Sequence, residues 1–218
     1  MSGSVVSTRS RREADRFIPP PGTFEIDPVH TFVTFRVQHL IIGRVQGRFD
    51  MVTGTVIIDE NVSDSHVEVS IDAGSIATRM PMPDDRRHSY EFFEVADYPN
   101  LTFRSTGTTE LASGEWRITG DLTMKGVPVT TKLTVAFGGA VSDSFANLRV
   151  GFHAATTISR RHLGLLLNLE RHTENLHVAS DVTIEIDAEA VRRSDSTVFL
   201  SNSSLRGDAR RRKRSIQP

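Results

Sequence analysis

Cysteine is absent from all 218 residues. That excludes disulfide scaffolds, thiolate zinc sites, iron–sulfur clusters and cysteine nucleophiles, and it leaves the redox compartment unread. Long apolar runs are missing too. No stretch approaches the roughly 20 apolar residues of a membrane-spanning helix. The densest patch, Leu163 to Leu169, is interrupted by Gly164 and Asn168. The opening run MSGSVVSTRSRREADRF has no apolar h-region and no cleavage-site pattern. The expectation is a soluble, cytoplasmic protein outside the general secretory route. Apolar residues make up only 38% of the chain, which puts part of it outside any packed core. No nucleophile elbow, Walker-type loop or dinucleotide-binding glycine motif occurs.

Net charge is −1, but its distribution is uneven. Residues 1–22 carry Arg9, Arg11, Arg12 and Arg16 against Glu13 and Asp15, a net of +2. Residues 191–218 carry eight basic residues against Asp195 and Asp208, a net of +6. The body between them is therefore −9. An acidic body argues against specific nucleic-acid binding, which needs a basic face. The basic charge belongs to the ends.

Composition divides the chain in three. Residues 1–21 are polar and close on Pro19, Pro20 and Pro21, and are expected to be a disordered lead-in. Residues 22–190 are the expected ordered domain, and 191–218 a disordered basic tail. Within the domain the dominant period is two. Val33, Phe35 and Val37 alternate with polar residues, as do Val67, Val69 and Ile71, Trp116 and Ile118, Leu133 and Val135, and Val182, Ile184 and Ile186. This is the half-buried antiparallel strand pattern. Turn signals separate the runs at 59–61, 112–114, Lys125-Gly126 and Gly138-Gly139. The reading is an all-β antiparallel barrel or sandwich of eight or more strands. One segment, 84–94, lacks alternation and predicts a helix of about three turns. The glycines of Gly43-x-x-x-Gly47 read as strand bends or a bulge.

A closed sheet of eight strands is either filled by its own side chains or hollow enough for one small ligand. Periodicity leaves that open. The eight histidines show no metal-ligand spacing, so no metal and no cofactor is assigned. His39 continues the inward parity of Val33, Phe35 and Val37. It is either a core histidine bonded to a backbone carbonyl or a polar group facing a ligand's head. Phe92 and Phe93, at the end of the expected helix, either cap the barrel's mouth or plug its core. No base with a matched partner stands out for catalysis, which favours a binding protein over an enzyme. The enzyme alternative would use His39 or His88.

Four runs carry a resemblance. Ile26 to Leu40 (IDPVHTFVTFRVQHL), Glu91 to Ser105 (EFFEVADYPNLTFRS), Gly120 to Val127 (GDLTMKGV) and Gly151 to Arg161 (GFHAATTISRR) resemble, in order, the motifs of the YceI-like family. The similarity covers about residues 23–188. It implies an extended lipocalin-like eight-stranded barrel. It also implies a tunnel for a long-chain amphiphile: a polyisoprenoid, quinone precursor or isoprenoid pyrophosphate, held by a carrier or reservoir. A fatty-acid or fatty-amide binder is the alternative. Homodimers are frequent in the family. After Arg160-Arg161 the chain departs from the family's acidic residue and Phe, having His162 and Leu163 instead.

On this reading the ligand-lining candidates are Val33, Phe35, Val37, His39, Phe49, Phe92, Phe93, Leu101, Phe103, Leu133, Val135, Phe152 and Ile184. His39 and Arg48 are the head-group candidates. The run Arg210 to Arg214 could hold the protein at an anionic membrane, at about 1 kcal/mol per basic residue near the surface. A solvated tail is the plainer alternative.

Overall fold

Each alternating run becomes a strand because one face must leave water while its backbone still needs partners. In the structure, a computed structural model that describes residues 11–13, 16–39, 43–78, 93–159, 162 and 178–193, those runs form eight strands. Strand β1 is Gly22–Ile26 continued by Phe32–His39, and β2 is Gly43–Phe49 continued by Val52–Ile58. Strand β3 is His66–Asp72 continued by Ile76–Thr78, and β4 is Asn100–Glu110. Strands β5 to β8 are Trp116–Met124, Val127–Ser142, Leu148–Ser159 and Val178–Arg192. Every strand pairs antiparallel with its sequence neighbours. The last returns to the first, with Ile184 opposite Phe35 and Ala190 opposite Ile26. This is a closed eight-stranded up-and-down barrel, and closure leaves no long unpaired edge.

Gly22, Ile58, His66, Trp116, Leu148 and Arg192 fall at one end, the proximal one. His39, Gly43, Thr78, Met124, Ser159 and Val178 fall at the distal end. The main apolar core fills the wall between the ends. A second cluster of Phe24, Ile58, Val150 and Ala190 packs the proximal end.

Strand β1 breaks at residues 27–31. Pro28 has no N–H for the ladder. Thr31 repairs the gap: its hydroxyl donates to the Glu189 carbonyl at 3.3 Å and accepts from the Glu189 N–H at 3.2 Å. The β5–β6 turn is Lys125-Gly126, with φ of 51° and 74°, the pair of positive values a type I′ hairpin demands.

Three expectations need correction. Gly138-Gly139 is not a turn but a bulge inside β6, where the register shifts between Phe137 and Gly139. The Gly43-x-x-x-Gly47 segment keeps regular register with β1 and carries no bulge. Of the helix expected over 84–94, only Phe93 and Glu94 lie among the described residues. They are not helical, and Glu94 has φ 50°. Among the described residues no helix is long and apolar enough to cross a membrane.

The lead-in also differs. Arg11–Glu13 pairs antiparallel with Arg16–Ile18, and Pro19 and Pro20 are buried. Residues 1–10 and 194–218, including the basic run Arg210 to Arg214, lie outside the described residues.

Candidate functional site

The barrel is hollow. A cavity of about 420 Å³ takes lining residues from all eight strands. It extends from Pro19, Val62 and Trp116 proximally to Val37, Thr78 and Val182 distally. Among the described residues no Asp, Glu, Lys or Arg lines it. A barrel filled by its own side chains is therefore not what this chain forms.

Two glycines help shape that interior. A Cβ on Gly47 would lie 2.4 Å from Phe35 Cζ, and one on Gly120 would lie 2.5 Å from Phe103 Cζ. Each phenyl ring thus lies against the wall of the neighbouring strand, at a spot only hydrogen leaves vacant. Phe35 also meets Phe49 at 5.8 Å between ring centroids, and Phe49 meets Phe93 edge-on at 5.8 Å.

The structure brings most of the expected residues together. Val33, Phe35, Val37, Phe49, Phe93, Leu101, Phe103, Leu133, Val135, Phe152 and Ile184 all line the cavity. Phe92 and the side chain of His39 lie outside the described residues, as does His88. Arg48 is on the outer wall, where its Nε meets Asp50 Oδ1 at 2.6 Å, so it faces no cavity. Trp116, Met124 and Ile158 also line the cavity and were not among the expected site residues. For Trp116 the signal was its alternation with Ile118. Thr108 was hidden by a bulge: β4 inserts Thr106, with Gly107 opposite Thr119 and Ser105 opposite Gly120. The inward parity of Leu101 and Phe103 therefore switches before Thr108. Pro19 was missed because a proline-rich lead-in reads as tail.

The charged groups work outside the barrel. Asp27, His30 and Glu189 each bring a ligand atom within 4.8 Å of the others, a geometry open to a metal. Arg149 already occupies that place. Its Nη1 donates to Asp27 Oδ2 at 2.7 Å and to Glu189 Oε1 at 2.5 Å, while its Nε donates to Asp143 Oδ2 at 3.0 Å. Burial pushes the Asp27 carboxyl up, but hydrogen bonds from Arg149, His30 and the Val29 amide outweigh it and hold the group at about 2. The Arg149 hydrogen bond, joined by Asn147, holds Asp143 at about 2 as well. Hydrogen bonds to Asp27, Glu189 and Asp143 push Arg149 further up.

Both carboxyls are depressed, so their contribution is complete above the unfolded pKa of 3.8 and is lost as pH falls toward about 2. Arg149→Met should lower stability at neutral pH and flatten the loss between pH 4 and 2. Urea unfolding at several pH values checks this. Parallel pH profiles for the two proteins would show that Arg149 does not set these carboxyls.

The comparisons with known proteins follow the same span. The YceI-like domain pattern matches residues 24–190. "UPF0312 protein ECA1782" of Pectobacterium atrosepticum is 32% identical over 171 residues, covering 78% of this chain and 85% of that one. "Protein YceI" of Salmonella newport is 35% identical over 141 residues, covering 64% and 73%. Among solved structures, BcnA of Burkholderia cenocepacia superposes with a TM-score of 0.62 at 23% identity, covering 75% of this chain and 98% of that one. A polyisoprenoid binding domain from Saccharophagus degradans superposes at 0.58 with 18% identity, covering 80% and 100%. The matched span begins in β1 and ends in β8, the two strands whose pairing closes the barrel, and on that match the chain belongs to the YceI-like family.

Proposed function

We propose that the barrel holds a long-chain amphiphilic lipid of the polyisoprenoid kind and serves as its carrier or reservoir. One observation carries the reading: an apolar cavity that spans the barrel and is lined by every strand. An isoprenoid chain entering this space gains about 25 cal/mol per Å² of apolar surface taken from water, and the wall that would receive it is apolar on every strand. Family membership and the Saccharophagus degradans neighbour, described as a polyisoprenoid binding domain, support the same ligand class. The lining offers apolar surface and, among the described residues, no paired acid and base, which supports binding over turnover.

Organic extraction of the purified protein followed by mass spectrometry should release a long-chain lipid. Stripping it should lower thermal stability. Adding prenyl lipid at about 100 times Kd should restore about 2.7 kcal/mol, or about 5–10 °C for a domain of this size. Protein that is repeatedly empty, and whose melting does not respond to added prenyl lipid, would reject the reading.

A further inference from the structure

The proximal mouth is crossed by chain from outside the family domain. The YceI-like match begins at residue 24, yet Pro19 lines the cavity, and both Pro19 and Pro20 are buried. From Gly22, which pairs with Ile58 of β2, the chain runs back through these prolines to Arg16–Ile18, which lies against β6. Strand β6 is no neighbour of β1: β7 and β8 stand between them in the wall. The segment therefore spans the mouth, with Pro19 facing the space inside. Its sequence suits the place. Pro19, Pro20 and Pro21 have no N–H, so chain buried over an apolar space, with no ladder to join, leaves no donor unpaired there. Their fixed φ, and the extended geometry each imposes on the residue before it, keep the crossing stiff. Arg192 fastens its end. Nη2 donates to the Pro21 carbonyl, and the guanidinium covers the Phe24 ring at 5.3 Å from the centroid. A Cβ on Gly22 would lie 3.0 Å from that Nη2, so glycine leaves the guanidinium its room.

We infer that Pro19 is the proximal stop of the cavity and sets how many isoprene units of a lipid the barrel covers. The inference rests on the proposed lipid-binding reading and adds to it the residue that selects chain length. Whichever end of the lipid meets Pro19, units beyond that contact gain no apolar wall. The family domain supplies the wall, and the lead-in supplies its end.

Delipidated full-length protein is titrated with geraniol, farnesol, geranylgeraniol and solanesol, prenyl alcohols of rising length. Each isoprene unit that the cavity covers should tighten binding about tenfold or more, and the gain should stop at a defined length. A phenylalanine side chain exceeds the proline ring by nearly the bulk of one isoprene unit. Pro19→Phe should therefore end the gain about one unit earlier. The longest alcohols should bind about tenfold more weakly, while geraniol stays within about twofold. A profile identical to wild type overturns the inference. So does equal weakening of all four alcohols, or wild-type affinity that climbs undiminished through solanesol. Where Pro19→Phe does not fold, the wild-type protein decides: isotope-filtered NOEs should join the Pro19 ring protons to the chain of geranylgeraniol or solanesol, and their absence overturns the inference. Failure of all four alcohols to bind the wild-type protein would instead reject the lipid-binding reading beneath it.

Discussion

Ala154→Phe is expected to leave the barrel folded and to empty it of lipid. Ala154 lies midway along β7, opposite Val135 of β6 and Ile186 of β8, and all three line the cavity. A benzyl group there enters space the protein already leaves vacant, so it fills a void instead of forcing a packed core apart. Thermal stability of the stripped protein should hold or rise. Lipid retained per protein should fall more than tenfold, equivalent to losing about 1.4 kcal/mol or more of binding. Thr102→Phe, on the exposed face of β4, should change neither quantity. The paired readings are lipid content by extraction and the melting midpoint. A folded Ala154→Phe protein with an undiminished lipid load would show that the ligand lies elsewhere.

Gly54→Ala should produce the largest loss of stability from a single methyl group. Gly54 pairs with Val69 across β2 and β3. A Cβ there would lie 2.2 Å from the Glu68 carbonyl oxygen and 2.9 Å from Val69 Cα. Both obstacles are backbone, so neither yields by changing rotamer. The two strands would have to separate where they carry Val52, Val56, Val67 and Ile71 on the cavity wall. The expected cost is about 3 kcal/mol, at the upper end for an overpacked site. That moves a urea midpoint by about 1 M or more. A change below about 0.5 kcal/mol would show that the strands are not held this closely.

Alternation made much of the site legible. Along β1 and β6, Val33, Phe35, Val37, Leu133 and Val135 needed only period two to be read as one face, and they do share the cavity. The readings that failed are those in which a distant partner changes a local rule. The bulge opposite Thr119 and Gly120 turns Thr108 inward against the parity of Leu101 and Phe103. The bulge at Gly138-Gly139 looked like a turn because two glycines suit either, and only pairing with β7 selects between them. Arg149 gave no local signal. Its partners Asp27 and Glu189 lie 122 and 40 residues away.

By itself the sequence determined the strand class, the order of the strands and most of the face each turns inward. Side-chain alternation is a property of the extended backbone and needs no neighbour. Only the tertiary structure decided that the interior is hollow. Its width depends on β8 closing against β1 and on the rings of Phe35 and Phe103 lying against glycines of other strands. The end walls depend likewise on contacts far apart in the chain: Pro19 at one end, and Phe93 packed on Phe49. A void is the space between surfaces, and its size is fixed by how those surfaces meet, which no single strand encodes.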